Sequence, residues 1–128
     1  KKIFAIHTVY CHFSIIGQDY IEILKSVVKD KYPNFYNYLL KTLNSHSFYY
    51  ANMVVMRNDY FDEYCEFMFS ILNGVRDKML NEQWICSTDE LIFSRKLGYL
   101  AEILTSTYLL VQEDKSVPIK QVAISIMR

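Results

Sequence analysis

Apolar residues fall at helical spacing in four stretches of this chain and run without a helical period in three others. Ile3 to Tyr10 is apolar and strand-favouring. It reads either as a buried strand, if a neighbour exists to pair with it, or as a segment separated from its partner. Asp19 then has capping-box spacing to Glu22, ahead of Tyr20, Leu24, Val27 and Val28 at helical intervals, which predicts a first helix. Pro33 suits the first turn of a second, with Tyr36, Leu39, Leu40 and Leu43 on one face and a stop near Asn44 and Ser45.

Phe48 to Met56 is aromatic and β-branched with no helical period, the pattern of a buried strand, and Asn52 is its one strongly polar member. Asn58 or Asp59 caps a third helix, in which Phe61, Tyr64, Cys65, Met68, Leu72, Val75 and Met79 line one side and Phe67, Phe69 and Ile71 add apolar groups elsewhere. That helix is expected to be central. Ser87 and Glu90 have capping-box spacing at the start of a fourth helix running to about Val111. Phe93, Leu97, Leu100, Leu104 and Val111 form its apolar face, and Arg95, Tyr99, Glu102 and Ser106 align on another. Val117 to Met127 alternates weakly around Pro118 and reads as an edge strand. The architecture expected is mainly α with two or three β-strands, in a single domain spanning 1–128.

Composition supports a globular chain: 52% of the 128 residues are apolar and 22% charged, with 3 Gly and 2 Pro. The 14 basic residues balance the 14 acidic ones, so no net field draws a phosphate backbone and nucleic acid is not an expected partner. No stretch reaches the ~20 apolar residues of a membrane span. Cys11, Cys65 and Cys86 are odd in number and lack CxxC spacing, which fits reduced thiols in the cytoplasm. The chain opens on Lys-Lys-Ile-Phe rather than Met and reads as one entered partway through a fold.

Three stretches together resemble one family. They are Tyr10-Cys11-His12-Phe13 with Asp19 and Lys31-Tyr32-Pro33; Asn52 to Arg57 followed by Phe61 to Leu72; and Arg95 to Glu102, reading RKLGYLAE. In this order they resemble the domain of unknown function 4422 found in capsular and exopolysaccharide biosynthesis proteins. The resemblance implies a nucleotide-sugar-dependent glycosyltransferase with a GT-A-like α/β fold, of which this chain would be the C-terminal, acceptor-side portion. The implied partners are a nucleotide sugar, a saccharide acceptor and the N-terminal half of the same domain. Two departures stand out: Phe67 occupies a position where the family usually has Trp, and Ile103 one where a basic residue is common.

A transferase of that fold holds its diphosphate leaving group with Mg or Mn on carboxylates. No Asp-x-Asp occurs here, so no cofactor is expected in this chain itself and the fragment alone is expected to be inactive. Asp62-Glu63 and Asp89-Glu90 fall in first helical turns, where the helix dipole accounts for acids. His7, Cys11 and His12 lack a fourth zinc ligand. His12, at a family position, is a candidate contact for phosphate or metal, or else a hydrogen-bonded loop histidine. Arg95, Tyr99 and Glu102 either bind a sugar hydroxyl or phosphate or form a salt-bridged helix face. Asn52 needs a partner for its amide, supplied by the protein or by a ligand, because an unsatisfied buried amide costs about 1–3 kcal/mol. Gly98, inside a helix, is expected to admit a close neighbour. The alternative to a transferase is a non-enzymatic helical interaction module, whose mark would be a contiguous exposed apolar patch.

Overall fold

The computed structural model describes residues 16–45, 54–81 and 90–119. Its regular elements are α1 (Gln18–Lys31), a 3-10 turn (Pro33–Phe35), α2 (Tyr36–Leu43), α3 (Asn58–Asn81) and α4 (Glu90–Asp114). No strand occurs among the described residues, so the fold there is all-α and the α/β, GT-A-like expectation is corrected. The runs read as strands at 3–10 and 48–53, and most of 117–127, lie outside the described residues. The parts that are described, 54–56 and 117–119, are irregular. Val54 and Met56 pack against the core while Val55 is wholly exposed, so a run expected to be buried throughout alternates inward and outward here. Alternation makes a strand only when a neighbour supplies the ladder, and no described residue does.

The first helix begins behind Gly17, whose φ of 97° is open to glycine, and no side chain caps it. Asp19 therefore lies inside the first turn rather than at the cap. Glu22 accepts from Gln18 (2.8 Å) and Lys25 (3.5 Å) instead of returning to the backbone. Pro33 disfavours a helical Tyr32, which ends α1, and the 3-10 turn carries the chain directly into α2. α4 closes on Ser116 at φ 64°, with Ser116 N–H donating to the Glu113 carbonyl (3.0 Å) and Val117 N–H to that of Gln112 (3.0 Å). These two bonds are the Schellman pattern, and Pro118 follows where no further helix is possible.

α1 packs on α3, α2 on α4, and α3 on α4, around one apolar core. Gly74 sets the α1–α3 approach: a Cβ there would lie 2.8 Å from Val27 Cγ1 and 3.3 Å from Lys31 Cε. A Cβ on Gly98 would meet nothing within 4 Å among the described residues, so the close neighbour expected at Gly98 is found at Gly74 instead. Tyr64, Phe67, Met68, Ile71, Val75 and Met79 form the buried face of α3, whereas Phe61 and Phe69 are exposed. Phe67, which packs edge-on to Tyr32 (5.1 Å between centroids) and beside Phe35 (4.8 Å), is thus at the centre of the core.

The helix enclosed most completely is α4, not α3. Ile103 to Leu109 is buried at every position, including Thr105, Ser106 and Thr107. Its two threonines donate back to the carbonyls four residues earlier, Thr105 to Ala101 and Thr107 to Ile103, each at 2.9 Å. Such back-bonding lets a hydroxyl enter an apolar interior without an unpaired donor. Thr107 also reaches Thr42 on α2 (3.2 Å).

Candidate functional site

A polar cluster forms where the start of α3 meets the end of α4. The two helices run antiparallel, so Tyr64 stands opposite Thr105 (2.7 Å between hydroxyls) and Glu63 opposite Tyr108 and Gln112. Tyr108 Oη donates to Glu63 Oε1 at 3.0 Å and lies 3.2 Å from the Tyr60 carbonyl; Gln112 Nε2 donates to the same Oε1 at 3.4 Å. Both donors are buried, and the Glu63 side chain is exposed. Tyr108 and Gln112 are four residues apart on α4, one turn, which is why they reach one acceptor.

Burial first, and then the Glu63 carboxylate that accepts its hydrogen bond, holds the Tyr108 phenol far above its ordinary range. Tyr108 therefore stays a donor at every physiological pH. Beside it, Arg57 grips Asp59 through two bonds (3.1 and 2.6 Å) and lies over the Tyr60 ring. The Asp59 carboxyl is held below its usual range chiefly by that guanidinium bond. The result is a carboxylate on the surface with Oε1 fixed by two buried donors and Oε2 without a partner among the described residues. It can accept hydrogen bonds from a hydroxylated ligand. No group of three or more His, Cys, Asp and Glu that could hold a metal ion occurs among the described residues.

Of the residues singled out by sequence, His12 and Asn52 lie outside the described residues, as do His7, Cys11 and Cys86. Arg95, Tyr99 and Glu102 lie on the first half of α4. Arg95 is exposed, Tyr99 is half-buried against the core, and Glu102 is half-buried with its carboxyl pushed up by burial alone. No ion pair joins Arg95 to Glu102. Ser106, expected on the same stripe, is buried. Glu102 is six residues before Tyr108, about 9 Å along the axis, so the described members Arg95, Tyr99 and Glu102 are not gathered around Glu63. The helix dipole accounts for Glu63 in the sequence; the signal for its second role is the Tyr108–Gln112 pair, polar at one-turn spacing in an apolar helix end.

A family model described as Domain of unknown function (DUF4422) matches residues 1–113. The chain belongs to this family. No curated protein and no solved structure matches it. The family stretches converge in the core of this DUF4422 chain: Tyr32 from the first touches Phe67 from the second, while Tyr64, also in the second, meets Thr105, which bonds back to Ala101 in the third. No helix of the described residues is long and apolar enough to cross a membrane.

Proposed function

We propose that the chain acts in transfer of a sugar from a nucleotide sugar to a saccharide acceptor during cytoplasmic steps of capsular, exopolysaccharide or lipopolysaccharide synthesis, and that it contributes acceptor-side surface. The observation that carries this reading is the Glu63 carboxylate, exposed yet oriented by Tyr108 and Gln112. A carboxylate held by buried donors meets a hydroxyl without first losing side-chain freedom. The family resemblance supplies the reaction class. Asn52 and His12, with Arg95, Tyr99 and Glu102, remain candidate contacts for the donor or for the rest of the acceptor, and Mg or Mn would serve the diphosphate in the intact protein.

The test is release of nucleoside diphosphate from a panel of nucleoside-diphosphate sugars by the intact protein, with saccharide acceptors present. Glu63→Gln keeps an acceptor oxygen for Tyr108 and Gln112 but removes the charge. We expect transfer to fall about tenfold or more, the loss typical of a charged hydrogen bond, with the melting temperature lowered only slightly, because Tyr108 and Gln112 keep a neutral acceptor. Equal rates in Glu63→Gln and wild type refute the role of Glu63; no turnover of any sugar by wild type refutes the reaction class. A second reading, a protein-interaction module, is favoured by the apolar groups exposed on α3.

A further inference from the structure

The outer face of α3 carries Phe61 (48% exposed), Phe69 (58%) and Leu80 (53%), with Cys65 and Leu72 half-buried at its edge. At 3.6 residues per turn these five positions, together with Asp62, Asn73 and Arg76, fall within about a third of the helix circumference. None of the described elements covers them. An exposed helix face with two phenylalanines at two-turn spacing is more than scattered surface apolarity.

The charges on this face are ordered. Asp62 lies toward the N-terminal end, and Arg76 toward the C-terminal end. Phe69 sits midway, seven residues from Asp62 and seven from Arg76, so the three share one line along the helix. Arg76 is exposed and its nearest acid, Asp77, is at 4.0 Å, a loose contact. We propose that this face pairs with the same face of a second copy of the chain, antiparallel, with Phe69 on the two-fold axis. Phe69 then meets the partner's Phe69, and Asp62 lies across from the partner's Arg76 on both sides of the axis. Cys65 and Leu72 fill the turns between them.

A parallel pairing places Asp62 against Asp62 and Arg76 against Arg76, so the charge order selects the antiparallel register and a two-fold, self-closing contact. One helix face is small beside the ~800 Å² per partner of a standard interface, so the expected association is weak and reversible, in roughly the micromolar range or above, rather than obligate. The inference is independent of the proposed reaction.

Sedimentation equilibrium of the whole chain under reducing conditions, from about 1 to 500 µM to bracket that range, reads it directly. We expect a reversible monomer–dimer equilibrium in wild type. Phe69→Asp should be monomeric throughout with an unchanged helical circular dichroism spectrum, as its side chain is exposed. Asp62→Arg should weaken the dimer about tenfold or more, and Asp62→Arg combined with Arg76→Asp should restore it. A monomeric wild type over the whole range overturns the proposal. So does a dimer that survives Phe69→Asp, or a double variant no tighter than Asp62→Arg alone.

Discussion

Gly74 and Gly98 both lie inside helices, and the same substitution should stabilise at Gly98 but not at Gly74. Alanine is favoured over glycine in a helix interior by about 0.8–1 kcal/mol. At Gly98 the new methyl group meets nothing within 4 Å among the described residues, so the whole gain is expected: Gly98→Ala should stabilise by up to about 1 kcal/mol. At Gly74 the methyl carbon would stand 2.8 Å from Val27 Cγ1 and 3.3 Å from Lys31 Cε. Lys31 can swing away, at the expense of its bond to the Ser70 carbonyl (3.3 Å). Val27 is buried and branched and cannot. Overpacking of this kind costs about 1–3 kcal/mol, which leaves Gly74→Ala neutral to about 2 kcal/mol destabilising after the propensity gain. Urea denaturation followed at 222 nm measures both, and in a domain of this size the difference corresponds to several degrees in Tm. Stabilisation by Gly74→Ala as large as by Gly98→Ala would refute the close α1–α3 contact.

Ser116 closes α4 in the left-handed region, which costs an L residue about 1–2 kcal/mol, so Ser116→Gly should raise stability by about 1 kcal/mol in the same urea experiment. Phe67→Ala should cost about 3–5 kcal/mol, because the ring is enclosed by Tyr32, Phe35 and Tyr108 and its removal leaves a cavity. Glu102, whose carboxyl is pushed up by burial, leaves the folded state holding more protons than the unfolded one just above the ordinary carboxylate range. Stability therefore falls as pH rises through that window. Glu102→Gln should melt higher than wild type at neutral pH and no higher well below the carboxylate range; a lower melting temperature at neutral pH would show an attractive partner for the charge.

Local signals placed the starts of α1 and α3 and the ends of α2 and α4 close to where they lie, while Ser87, the expected start of the fourth helix, is outside the described residues. Pro33 and the Asn44-Ser45 stop fixed α2, and the recurrence of Tyr64, Met68, Val75 and Met79 fixed the buried side of α3. Faces were harder than boundaries. Phe61 and Phe67 are equally apolar, and only the positions of α1 and α4 decide that Phe67 is enclosed and Phe61 is not. The enclosure of α4 was hidden for a related reason: Thr105, Ser106 and Thr107 look like an exposed turn, yet back-bonding satisfies two of them inside the core. The strand reading failed at 54–56 because an aromatic, β-branched run without a helical period shows that the chain is not helical, not that a second strand lies alongside. The Glu63 cluster joins residues 45 and 49 positions apart, a separation that no periodicity spans. Arg95 and Glu102 illustrate the converse, sharing a helix stripe without pairing.

The enclosure of α4 also governs how the molecule opens. From Ile103 to Leu109 no side chain faces solvent, so these amides cannot exchange through fraying of an outer face. Their exposure requires α2 and α3 to separate from α4, which dismantles the one core that the helices share. Deuterium uptake in this segment should consequently proceed at the free energy of global unfolding, while the outer turns of α3 exchange through smaller local openings.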